Sequence, residues 1–164
     1  MFERLHAFCK TLEQLGFAQE IRESSWLFPT LETVHVVALA VVVGSIMSVD
    51  LRLLGRGLRN GPFTVLAREM LPWTWTAFVL ASIAGFLMFA SKAVTYAENG
   101  PFRVKLLLLA LAALNMAVFH RLGMRNVAEW DSRQPPMAAK LAGGASLLLW
   151  IGVVAAGRWI GFTT

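Results

Sequence analysis

Residues 70–91 read MLPWTWTAFVLASIAGFLMFAS, 22 consecutive positions without one ionisable side chain. An α-helix rises about 1.5 Å per residue, so about 20 apolar residues cross the ~30 Å hydrocarbon core of a bilayer. This stretch is long enough unaided. Three more runs work outward from it. In 33–49 only His35 can ionise, and 106–119 and 141–157 carry no charge. The first and last reach spanning length with flanking apolar residues. The run 106–119 covers only about 21 Å, which places Lys105 or His120, or both, within the membrane or snorkelling out of it. The sequence therefore predicts an all-α fold: an integral membrane four-helix bundle with helices near 26–52, 70–96, 102–126 and 139–161.

Composition agrees. Of 164 residues, 57 % are hydrophobic and 15 % charged, and mean hydropathy is +0.60. A typical soluble domain is about 25 % charged. These values exclude a disordered chain, and a globule this small has too few polar residues to cover four apolar helices. The single cysteine, Cys9, excludes a disulfide or a cysteine-based metal centre within one chain. Gly55, Gly57, Gly61 and Pro62 break the first connection, Asn99-Gly100-Pro101 the second and Pro135-Pro136 the third. Trp26, Trp73, Trp75, Trp130 and Trp159 fall near predicted span ends, the level that indoles favour. Small residues at spacing four (Gly44 and Ser48; Ala77, Ala81 and Gly85; Gly152 and Ala156) suit close helix packing.

Residues 1–25 form a separate segment. Four glutamates and no apolar run make it unlike a signal peptide. Phe2, Leu5, Phe8, Cys9, Leu12 and Leu15 share one helical arc, and Gly16 is a natural stop. An amphipathic helix in the membrane interface is expected, or one that meets a partner protein.

With four spans both termini lie on one side, here side A. Side B holds Arg52, Arg56, Arg59, Arg68, Arg121, Arg125, Arg133 and Lys140, eight of the 15 Lys and Arg residues. Side A holds the other seven, or five if Lys92 and Lys105 sit inside the span. The positive-inside rule then puts side B in the cytoplasm and the termini outside, in a bacterial inner membrane. The net charge of +5 suits anionic lipid. The basic residues flank spans and form no stripe, so nucleic acid is not expected as a partner.

Ionisable residues at depth are where function concentrates, because each costs roughly 2.5–3.5 kcal/mol there. Glu32 and His35 are three apart and share a helix face, so the carboxylate could orient the imidazole. His35 lies about 13 Å along the helix from Trp26. The topology brings Lys92, Tyr96, Arg103, Lys105 and Arg158 to the same half of the bundle. These cations suit the carboxylates of a porphyrin, the apolar lining suits its macrocycle, and His35 suits its iron. Two other readings stay open. Glu32 could pair with Lys105 or Arg158 as structural glue, with His35 bonded to a neighbouring helix, or the charges could serve transport. His120, near side B beside Arg121, is a second metal-ligand candidate, about 12 Å from His35 in depth and so unsuited to the same iron. Asp50 closes the first span and could pair with Arg52, Arg121 or Arg125.

The residues from Trp26-Leu27-Phe28-Pro29-Thr30-Leu31-Glu32-Thr33-Val34-His35 through Gly44 to Asp50-Leu51-Arg52-Leu53-Leu54-Gly55 resemble an uncharacterised family of small bacterial four-helix membrane proteins. So do Gly85 to Phe89, Tyr96, Asn99, Phe102-Arg103-Val104-Lys105, Asn115 and Phe119-His120. More distantly, the plan is similar to the membrane domain of copper-resistance protein D and to the haem-binding protoporphyrinogen oxidases of the HemJ type. That likeness implies a haem ligand at His35 and a matching Lys at Lys105. The long amphipathic N-terminus and the loops depart from the oxidase, so porphyrinogen oxidation does not carry over.

The expectation is a haem b protein that passes electrons for a partner enzyme or quinone. His35 would be the ligand, Glu32 its partner, and Lys92, Tyr96, Arg103, Lys105 and Arg158 the surrounding polar groups. A chain this small would act as a homo-oligomer or as a subunit of a membrane redox complex. The rival expectations are a copper-resistance-type transport or metal-handling module and a cofactor-free structural subunit.

Overall fold

The computed structural model describes residues 2–56 and 61–163. Gly57 and Arg59, named above, lie outside the described residues, as do the side chains of Phe2 and Arg125. Among the described residues all regular structure is helical: α1 (Phe2–Glu13), α2 (Gly16–Glu23), α3 (Leu27–Leu53), α4 (Phe63–Ser91), α5 (Ala93–Glu98), α6 (Gly100–Val118), α7 (Val127–Trp130) and α8 (Met137–Ile160). A π turn, Phe119–Gly123, prolongs α6, and a 3-10 turn, Met124–Asn126, leads to α7. Four helices (α3, α4, α6 with its π turn, and α8) are long and apolar enough to cross a bilayer. The chain is a multi-pass membrane protein.

Helix α3 packs along α4 and α8, and α6 packs along α8. Helices α4 and α6 meet through aromatic rings near their ends, Phe63 with Phe119 at 6.2 Å and Phe89 with Phe102 at 5.4 Å. The central layer gathers Val42, Ala77, Trp150 and Val153 with Leu108 and Leu109. Thr74 donates to Ser45 at 2.7 Å across α3 and α4, which satisfies two hydroxyls inside the apolar layer.

Helix ends follow local chemistry. Gly55 has φ of +74°, which favours glycine. The amides of Gly55 and Arg56 donate back to the Arg52 and Leu51 carbonyls, closing α3. The Asn99 side chain accepts from the Phe102 amide and caps α6. Its amide also donates to Thr163, tying the C-terminal end to that cap.

The second span begins seven residues before the expected 70. Its start is capped from a distant loop: the Thr64 amide and hydroxyl donate to the two Asp131 carboxylate oxygens at 2.8 Å each, and the Phe63 amide donates to the Asp131 carbonyl. Arg52 donates to the Gly61 and Asp131 carbonyls, so its guanidinium locks this knot and does not pair with Asp50. Removing the capping carboxylate with Asp131→Ala is expected to destabilise the protein by about 1–2 kcal/mol. A thermal midpoint in detergent equal to the wild type's would count against the cap.

Several expectations are corrected. The N-terminal segment is two helices, and Gly16 opens the second of them where it was expected to stop the first. Of its apolar arc, Cys9 and Leu12 pack against Ala90 and Ala93, whereas Leu5, Phe8 and Leu15 are exposed. Burial, and next the Glu13 carboxylate, push the Cys9 thiol up, away from a reactive thiolate. Trp130 is a core residue, 5.2 Å from the Phe63 ring, because the loop folds back under the bundle. A Cβ at Gly44 would meet nothing within 4 Å, so the stripe on α3 does not serve packing. Gly152, by contrast, faces Leu108 at 3.0 Å.

Candidate functional site

His35 lies on the buried side of α3, one turn before Ala38, and faces the Ala81–Gly85 turn of α4. In an α-helix the carbonyl of residue i points towards residue i+4, whose side chain ordinarily crowds it. Residue i+4 of Ala81 is Gly85, and the imidazole fills the space a side chain would take. A Cβ at Gly85 would lie 2.9 Å from His35 Cε1 and 3.2 Å from Nδ1. Through this gap Nδ1 reaches the Ala81 carbonyl at 2.7 Å. A carbonyl only accepts, so Nδ1 carries the proton, and in the neutral form of the ring the lone pair is on Nε2. The ring is half-buried.

Lys105 of α6 and Glu32 of α3 lie on the same half of the bundle as this ring. Lys105 is half-buried on α6 and runs beside Gly157 of α8, where a Cβ would lie 3.7 Å from Nζ. Glu32 is exposed. It makes no salt bridge to Lys105 or Arg158 among the described residues, and the partner of Nδ1 is Ala81, not Glu32. Sharing a face at spacing three brought Glu32 near His35 but did not turn its carboxylate onto the ring. Glu32 instead influences Tyr96, whose phenol is pushed up by burial first and by the Glu32 charge second. Tyr96 sits in an aromatic group with Phe102 at 5.7 Å and Phe89 at 6.4 Å, and Phe89 and Phe102 stack nearly parallel.

Lys92, Arg103 and Arg158 lie on side A with partners of their own. Lys92 stands over the Phe28 ring at 5.4 Å. Arg103 donates to the Ala97 carbonyl at 2.8 Å and borders a surface hollow between α1 and α5 with His6 and Glu98. Arg158 stands over Phe162 at 5.0 Å. His6 Nε2 is 3.7 Å from Glu98, which together with the Glu13 carboxylate accepting from the Val94 amide holds α1 across α5. His120 is exposed on the π turn, 20 residues beyond Gly100 and at the opposite end from His35. Among the described residues no group of three or more His, Cys, Asp or Glu side chains comes together to hold a metal ion.

The structure thus joins His35 to Ala81 and Gly85, with Lys105, Glu32 and Tyr96 on the same half of the bundle. Gly85 and Ala81 are the residues that sequence reasoning read only as a packing stripe. Their signal was a glycine four residues after a small residue, on the helix that follows a buried histidine.

No curated protein and no solved structure matches the chain. Residues 23–163 match a family of unknown function (DUF6644), and the chain belongs to that family. The matched region contains the whole bundle and the His35 site, and begins after α1 and most of α2.

Proposed function

We propose that this DUF6644 protein is a membrane-embedded haem b protein, in which His35 would hold the iron, that passes electrons for a partner enzyme or quinone. One observation carries the reading: the Nδ1–H of His35 is held by the Ala81 carbonyl at 2.7 Å, which leaves Nε2 as the free donor. Ligating histidines characteristically have their second nitrogen fixed in this way, setting tautomer and ring direction. The residues fit the group. Lys105 supplies a half-buried cation for a propionate, and Phe89, Phe102 and Tyr96 supply apolar surface. Bound there, haem b would supply one-electron redox chemistry.

The chain's own part is to ligate, to orient the imidazole through Ala81 and Gly85, and to set the local charge through Lys105 and Glu32. The positive-inside count supports a reading with side B in the cytoplasm of a bacterial inner membrane and the His35 half nearer the outer face. The cofactor-free reading had Glu32 paired with Lys105 or Arg158 and His35 bonded to a neighbouring helix; the His35–Ala81 bond meets its second half, while no such Glu32 bridge forms among the described residues. The metal-handling reading called for Met or His pairs facing a common pore, and among the described residues no three His, Cys, Asp or Glu side chains gather to hold a metal ion.

Haemin titration of the purified protein in mild detergent tests the proposal. The wild type is expected to saturate at one haem per chain with a sharpened Soret band, and His35→Ala is expected to lose that saturable component. An unchanged titration in His35→Ala would remove His35 as the ligand.

A further inference from the structure

Asp50 lies on α3 within the predicted span, 15 residues or about 22 Å beyond His35 towards side B. It is 4 % exposed. Ser146 of α8 lies beside its carboxyl, and Oδ2 has no hydrogen-bond partner. The helices touch here: a Cβ at Gly143 would lie 3.0 Å from the Asp50 carbonyl.

The charged groups of the surrounding elements have other positions or partners. Arg52, on the same helix, donates to the Gly61 and Asp131 carbonyls. Asp131 accepts from Thr64. On α8, Lys140 is half-buried and one turn before Gly143. His120 and Arg121 on the π turn, and Arg68 and Glu69 on α4, are exposed. Asn115 of α6 donates to the Ala142 carbonyl. No salt bridge to Asp50 occurs among the described residues.

A bare carboxylate without a counter-charge is costly in such surroundings, and a purely structural acid would have both oxygens bonded. Here Oδ2 has no partner and is left as the place for a proton. The helix ends three residues later at Leu53, about 4.5 Å away, so solvent at side B is close.

We propose that Asp50 and Ser146 form a proton-exchange site, in which the carboxyl takes up and releases one proton with water at the side-B face. The step is a simple protonation: the Oδ2–H bond forms or breaks, and solvent supplies or accepts the proton. It is independent of haem at His35.

Dicyclohexylcarbodiimide, an apolar reagent that adds to protonated carboxyls, probes the site in the full chain in detergent. Peptide mass spectrometry is expected to find the adduct on Asp50 at about pH 6, falling about tenfold or more by about pH 9. Infrared difference spectra between those pH values are expected to show a protonated-carboxyl band that disappears on raising the pH and is absent in Asp50→Asn. No Asp50 adduct together with no Asp50-dependent band would overturn the proposal. So would a band and an adduct level that stay constant across the range, since the acid would then be a fixed structural group. The wild-type adduct map requires no variant, so a misfolded Asp50→Asn would not blunt the test.

Discussion

If His35 ligates haem as proposed, Gly85→Val is expected to abolish haem binding while leaving the protein inserted and folded. A side chain at this position begins with a Cβ 2.9 Å from His35 Cε1, well inside van der Waals contact, and valine adds two methyl groups beyond it. The imidazole must swing away and give up its 2.7 Å bond to the Ala81 carbonyl. Overpacking of this kind costs about 1–3 kcal/mol, and the lost hydrogen bond about 1 kcal/mol. A combined loss of about 3 kcal/mol corresponds to roughly 100-fold in affinity. Gly85→Ala should fall between wild type and valine, because a single methyl lets the ring tilt without leaving. The haem-to-protein ratio after purification reads the effect, with the thermal midpoint as a control for folding. Wild-type haem content in Gly85→Val would show that the ligand is not a ring lodged on this turn.

The largest effect on stability is expected at Gly143. A Cβ there would lie 2.9 Å from the Leu53 Cβ and 3.0 Å from the Asp50 carbonyl oxygen. Both are atoms of, or next to, the α3 backbone, so no flexible side-chain end can yield. With Gly143→Val, α3 and α8 have to separate, and the side-B cluster of Leu53, Phe63, Trp130 and Ala139 beneath them opens as well. The expected cost is about 3 kcal/mol or more. Gly44→Ala is the natural contrast. Its Cβ would meet nothing within 4 Å, and replacing glycine inside a helix is favourable by about 0.5–1 kcal/mol. Thermal unfolding of the two variants in one detergent should therefore move in opposite directions. A Gly143→Val protein as stable as the wild type would mean that the α3–α8 contact is looser than these distances require.

The spans were legible because hydrocarbon tolerates so few charges that their absence marks a helix. What stayed hidden depended on contacts distant in sequence. The start of α4 at Phe63 rests on Asp131, 67 positions beyond Thr64, so Arg68 and Glu69 inside the first turns of the helix looked like its boundary. Trp130 read as an interfacial indole because the folded-back loop that buries it carries no periodic signal. The site was half legible. His35 and Lys105 stood out as ionisable groups within apolar runs. The partner of His35 did not, because it is a backbone carbonyl, present at every residue and exposed here only by the glycine four positions on. Lys92, Arg103 and Arg158 were placed on the correct side by topology alone. Their long side chains then found nearer partners, two aromatic faces and a helix-end carbonyl.

Reduced-minus-oxidised absorption spectra of membranes from cells expressing the wild type and His35→Ala, supplied with ample haem precursor, bear on the haem reading with the fewest intermediate steps. The wild type is predicted to show a b-type Soret and α band rising with expression level, and His35→Ala to show neither above background at equal protein level. A wild-type protein that is abundant in the membrane yet adds no haem band, or a band that persists undiminished in His35→Ala, would contradict the assignment of His35 as the haem ligand.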